Sequence, residues 1–167
     1  MRPLTGRVTI DAPIERVFLF MNRPENQARI TPALSQVESL EVLDNGGKRA
    51  SYVYSMGPVG LTGEVRATEF EPNKRIVFEM TGDLSGTIEW TFEPAGQTTE
   101  DDEATANGED VDRTTITYSA EYDLPRILSL PIVSAVVDRA ATPYNRRQIE
   151  ATLSNLRQQI EADEENR

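Results

Sequence analysis

The chain of 167 residues contains no cysteine and no histidine. These two absences remove disulfides, thiolate nucleophiles, Cys/His zinc sites, histidine-based triads and haem ligation through either residue. Any acid–base chemistry falls to Asp, Glu, Tyr, Lys or Arg. Lysine is scarce too: only Lys48 and Lys74 occur, so 15 of the 17 basic residues are arginine, against 28 acids and a net charge of −11. A chain this acidic is a poor partner for nucleic acid, whose phosphates need a basic face. Many acids with few lysines fits an acidic, halophilic-type protein, kept soluble at high salt where self-repulsion is screened. An ordinary acidic protein from a GC-rich genome is the alternative. No apolar run is long enough to span a bilayer, since the best candidate, "LPRILSLPIVSAVVDRAATP", carries three charges and three prolines. The opening "MRPLTGRV" lacks the apolar core of a signal peptide, which predicts a cytoplasmic protein.

What is present reads as one domain over residues 1–167, with no internal repeat. "TGRVTID" alternates, with Val8 and Ile10 on one face, and predicts a first strand. Ile14, Val17, Phe18 and Met21 then fall at helical spacing. Pro13 and Glu15 suit the start of that helix, and Pro24 ends or restarts it, giving two short helices. From Gln36 the period changes to two. Six amphipathic stretches follow: "QVESLEVL", "KRASYVYSM", "LTGEVRATEF", "RIVFEMT", "TIEWTFEP" and "TTITYSAEYDL". Turn signals such as "DNGG" and "EPNK" separate them. Strands with one apolar and one wet face indicate an antiparallel sheet that needs a cover.

The C-terminal 40 or so residues supply that cover. Ile149, Leu153, Leu156 and Ile160 mark a narrow stripe, and residues 132–141 are apolar around most of the circumference. The two sets lie about half a turn apart on one helical wheel at ~100° per residue. Pro143 lies between them, so two helical segments or one helix kinked near Thr142–Pro143 are expected. Residues 163–167 are polar and expected to fray. One segment breaks the meander of short turns. "GQTTEDDEATANGEDVDRT" (96–114) holds seven acids and no aliphatic larger than Val111. Its composition predicts a mobile, solvated loop over 96–113 between the sixth and seventh strands.

The local residues also carry a family resemblance. Ile10, Ala12 and Pro13 form an I-x-A-P strand end leading into a P-x-x-V-F helix with Val17 and Phe18. "EVRATEFEPNKRIVFEM", "GTIEWTFEP" and "NRRQIEATLSNLRQQIE" are similar to the middle strands and closing helix of the same group. Over roughly residues 5–162 the chain resembles the START-related superfamily (SRPBCC). That superfamily includes the birch-pollen allergen, polyketide cyclase/dehydratase and coenzyme-Q-binding proteins. The resemblance implies an α+β helix-grip fold, in which a curved seven-stranded antiparallel sheet grips a long C-terminal helix around an apolar cavity.

If the apolar set faces the helix, the expected lining is Tyr52, Tyr54, Met56, Val65, Phe78, Met80, Trp90, Tyr118 and Tyr122, with Leu61 in the same row. Val136, Arg139 and Ala140 of the C-terminal segment complete it. Tyrosines in an apolar cavity can orient a hydrophobic ligand carrying a few oxygens, and methionines add adaptable walls. Plain core packing is the competing reading for each residue. Gly63, on the same face, marks either a bend in the sheet or open space for ligand. Glu69 falls in phase with the inner row near the rim; the other strand glutamates fall on the outer face. No catalytic pair emerges, and neither a cofactor nor a metal is expected. The expected partner is a hydrophobic small molecule: a lipid, an isoprenoid quinone or a polyketide-like aromatic. A monomer or weak dimer is expected. A cyclase or dehydratase working through tyrosine hydroxyls and water is the second reading. A protein-interaction module, with residues 127–141 as a patch or lid, is the third.

Overall fold

A computed structural model describes residues 3–56, 58–95, 112–123 and 131–166, without the side chains of Met56, Tyr122 and 131–145. The chain runs β1 (Leu4–Ile10), α1 (Ile14–Met21), α2 (Pro24–Ile30), β2 (Leu34–Val42), β3 (Lys48–Met56), β4 (Val59–Glu71), β5 (Arg75–Gly82), β6 (Ser85–Pro94), β7 (Thr114–Asp123) and α3 (Pro131–Glu165). The strands form one seven-stranded sheet in the order β1-β7-β6-β5-β4-β3-β2. Every pairing is antiparallel. This is the helix-grip arrangement expected from the sequence.

Local chemistry explains the punctuation. Pro13 stands just before α1, and Pro24 occupies the first turn of α2, where its missing N–H costs nothing. In the β2–β3 turn Gly46 takes a φ of 89°, and Asn45 accepts a hydrogen bond from the Gly47 N–H at 2.9 Å. Asn73, at φ 62°, makes the β4–β5 turn, a conformation that asparagine tolerates better than most residues.

The core divides into two clusters. The larger gathers Ile10, Val17, Phe18, Ile30, Phe92 and Ile116 under Leu153, Leu156 and Ile160 of α3. The Phe18 ring meets Phe92 edge-on at 5.1 Å and Phe70 at 5.4 Å. The smaller contains Tyr52, Leu61, Met80 and Leu84. Gly6 lets α3 lie close on β1: a Cβ there would stand 2.7 Å from Leu153 Cδ1. Asn155 adds a hydrogen bond from its Nδ2 to the Ile30 carbonyl at 2.9 Å, and Arg16 pairs with Glu164 at 2.9 Å. The stripe read from the sequence is therefore the buried face of α3.

Three expectations are refined. Of the two forms expected around Pro143, the chain takes the single helix, one continuous element from Pro131 to Glu165. The tail expected to fray from residue 163 is helical to Glu165. Glu69 does not stay with the inner row. The β4–β5 register shifts between Ala67 and Glu69, so a bulge inserts Thr68 and turns Glu69 to the outer face. There Glu69 takes a 2.7 Å contact from Arg75, which also reaches Glu89 at 3.0 Å. Phe70 takes the inward position and packs on the larger cluster. The acidic stretch lies outside the described residues over 96–111, but its ends are fixed. Pro94 pairs with Thr114, and the Ala95 N–H donates to the Arg113 carbonyl at 2.9 Å.

Candidate functional site: an apolar cavity between the sheet and the helices

Strand alternation points every second residue of β3 to β7 toward α2 and α3. At the larger cluster the space between is filled. At the other end it opens into a partly enclosed cavity of about 150 Å³. Tyr52 and Tyr54 of β3, Val65 of β4, Phe78 and Met80 of β5, Trp90 of β6 and Tyr118 of β7 all line it. These are seven of the twelve residues expected. The side chains of the other five, Met56, Tyr122, Val136, Arg139 and Ala140, lie outside the described residues. Leu61 is buried beside the cavity in the smaller cluster and is not part of its wall.

The wall also includes residues the strand pattern alone does not single out. Pro24, Gln27 and Thr31 come from α2 and its end, and Leu34 and Val37 from β2. Leu84 comes from the β5–β6 turn, and these residues are joined by Ile88, which the strand pattern does place on the face of Trp90. From α3 come Ile149 and Leu153, members of the apolar stripe, together with Gln148 and Thr152. The polar pair was legible in principle. Positions 148 and 152 are one turn apart and each precedes a stripe residue, so they border the buried face.

The aromatic wall is ordered by its own packing. Trp90, the only tryptophan, is buried and meets Tyr118 edge-on with ring centres 4.7 Å apart. Tyr52 is 5% exposed, and its hydroxyl has no hydrogen-bond partner. Burial, followed by the negative charge of Asp83, pushes its pKa up from 10.0 to about 12. The phenol is therefore neutral and protonated at physiological pH. Gly63 lets both the Thr81 backbone carbonyl of β5 and the Tyr52 ring of β3 approach closely. A Cβ at Gly63 would stand 2.6 Å from the Tyr52 hydroxyl oxygen and would run into the Thr81 carbonyl.

On the helical side Thr152 donates to the Gln148 carbonyl at 2.7 Å and approaches Thr31 Oγ1 at 3.5 Å. The side-chain oxygen of Gln148 is buried without a partner. No aspartate, glutamate, lysine or arginine lines the cavity among the described residues. Nor do those residues include a cluster of acids able to hold a metal ion. Such a cavity can bury apolar surface and exchange hydrogen bonds with a few oxygens.

Residues 1–161 match the family described as polyketide cyclase / dehydrase and lipid transport. The chain belongs to that family. Solved structures share its architecture. A Thermus thermophilus protein superposes with a TM-score of 0.75 at 17% identity, over 96% of this chain and 98% of that one. A START superfamily protein from Mycobacterium smegmatis gives 0.70 at 13% identity, over 97% and 99%. The Zhui aromatase/cyclase from a Streptomyces species gives 0.65 at 17%, over 96% and 93%. At these identities the likeness is one of fold. No curated protein matches the sequence. No helix among the described residues is long and apolar enough to cross a membrane.

Proposed function

We propose that this protein binds a small hydrophobic molecule in the cavity between its sheet and α3. The observation that carries the reading is the wall: aromatic and aliphatic, free of charged side chains among the described residues, around about 150 Å³. Volume sets the scale of the guest. An apolar cavity near 150 Å³ accommodates a benzene-sized molecule, whereas drug-sized ligands occupy ~300 Å³ or more. A single ring, or the ring of a larger isoprenoid or polyketide-like molecule whose remainder projects through the opening, fits that volume. Trp90 provides the readout. Titrating purified protein with toluene should change its fluorescence saturably, and native mass spectrometry should detect any lipophile that co-purifies. A flat titration together with a lipophile-free protein would sink the reading. A cytoplasmic location belongs to the same reading and is checked by cell fractionation.

The second reading is a cyclase or dehydratase. Family membership motivates it, and the tyrosines of the wall, Tyr52, Tyr54 and Tyr118, carry the hydroxyls it would use. It is the weaker reading, because general acid–base turnover also needs a base, and no carboxylate lines the cavity among the described residues. Unchanged turnover of a confirmed substrate when all three are changed to Phe would exclude this role.

A further inference from the structure

A second concavity opens where α1, α2 and α3 meet. It is an open cleft of about 260 Å³, and its wall shares no residue with the cavity under the sheet. Three arginines border it: Arg16 from α1, Arg23 between α1 and α2, and Arg29 from α2. Asp163 is the one acid of the wall. On a chain of net charge −11 this is a local reversal of sign. The three arginines are not equivalent. Arg16 is neutralised by Glu164 at 2.9 Å. Arg29 is held by neutral groups. Its guanidinium donates to Gln159 Oε1 at 2.9 Å and to Asn26 Oδ1 at 3.4 Å, and it stands 6.0 Å from the centre of the Phe20 ring. These contacts from all three helices fix the group without cancelling its charge. Arg23 is exposed, and its side chain makes no hydrogen bond or ion pair among the described residues.

We propose that this cleft binds a soluble organic phosphate monoester. The phosphate is taken by Arg23 and Arg29, and the organic part lies against Leu19 and Phe20. Guanidinium forks match phosphate oxygens, and a dianion with three terminal oxygens can engage two forks at once. A carboxylate, with one charge and two oxygens, satisfies only one. The apolar part of the wall calls for more than a bare anion: Leu19 is 57% exposed, and Phe20 and Ile160 line the same cleft. Nucleic acid does not fit, because three arginines in one cleft are not the basic stripe that a phosphate backbone needs. The concave shape suits a small molecule better than a flat lipid surface.

Calorimetric titration with inorganic phosphate and phenyl phosphate tests the site, at low ionic strength and mildly alkaline pH where both are dianions. Phenyl phosphate should bind more tightly, and Leu19→Ser should reduce that advantage. Arg23→Gln should weaken phenyl phosphate roughly tenfold, and Arg23→Lys should recover only part of the loss, since it restores charge without the fork. Asp163→Asn should strengthen binding, because it removes the one acid of the wall. Arg66→Gln, on the outer face of the sheet, should change nothing. Equal affinity in the parent and Arg23→Gln would overturn the proposal, and so would an equal loss in Arg66→Gln. Phosphatidylcholine vesicles with and without phosphatidic acid present the same monoester on a membrane. Co-sedimentation with the phosphatidic acid vesicles, without binding of either soluble probe, would overturn the soluble ligand in favour of a lipid surface.

Discussion

The two ends of the inner face are made by the same sheet under the same helix, yet one is solid and the other hollow. At the solid end, Phe18 projects from α1 into the angle between Phe70 and Phe92, and Leu156 and Ile160 of α3 close over it. At the hollow end no α1 residue reaches in. The wall there is built largely of aromatic side chains from β3, β5, β6 and β7. A curved sheet and one helix leave a wedge of space, and the fold is filled only where a third element adds a large side chain. Fold stability and ligand capacity are thus assigned to different residues, so substitutions should separate them.

The largest effect is expected at the solid end. Phe18→Ala should lower the unfolding free energy by about 3–5 kcal/mol in urea titrations, through lost burial and an unfilled cavity. Any molecules that remain folded should bind toluene as before. Next comes Gly63→Ala, at the hollow end. Its methyl group meets the Thr81 backbone carbonyl, which cannot swing away, and the Tyr52 ring. A loss of roughly 1–3 kcal/mol is expected, together with altered Trp90 fluorescence on titration with toluene. If Gly63→Ala left both unchanged, the hollow end would be softer than its geometry implies.

A smaller effect depends on pH. The Tyr52 pKa is raised from 10.0 to about 12 in the folded protein, so folding favours the protonated phenol. Below pH 10 the phenol is protonated in both states and its contribution is fully present. As pH rises from about 10 to 12 only the unfolded chain loses the proton, and stability falls by an amount on the order of 2 kcal/mol. Chemical denaturation across this window should show a shallower decline in Tyr52→Phe than in the parent. Matching declines would mean that the Tyr52 environment is wetter than its 5% exposure suggests.

The smallest effect is expected outside both ends. The segment between Ala95 and Arg113 begins and ends at a paired position, so a tight turn can bridge it. Replacing Thr98–Asp112 with such a turn should leave melting temperature and toluene affinity unchanged. A loss of either would give the acidic stretch a role in the domain.

Much of this contrast was legible in the sequence. Period-two alternation placed Tyr52, Tyr54, Phe78, Trp90 and Tyr118 on one face before any coordinates, and the α3 stripe named its own buried residues. Prolines 13 and 24 marked the helix starts. The misreading of Glu69 has a definite cause. Alternation counts positions, and the bulge at Thr68 adds one, which exchanges the faces of Glu69 and Phe70. Gln148 was missed because a polar residue beside an apolar stripe looks like the wet side of a helix. Only the neighbouring α2 turns that position into a wall. At Gly63 the sequence left a bend and open space as alternatives; only the register brings the Thr81 carbonyl and the Tyr52 ring against it.

The position of β1 has a consequence for how the protein is made. Its residues 4–10 pair only with β7, at residues 114–120, and Gly6 then receives Ile149 and Leu153. During synthesis, the first strand emerges more than a hundred residues before its partner. The meander from β2 to β6 can zip up by local hairpins while β1 waits. Closing so long a loop is slow compared with hairpin formation. The cavity itself needs α3 in place, because Gln148, Ile149, Thr152 and Leu153 form part of its wall.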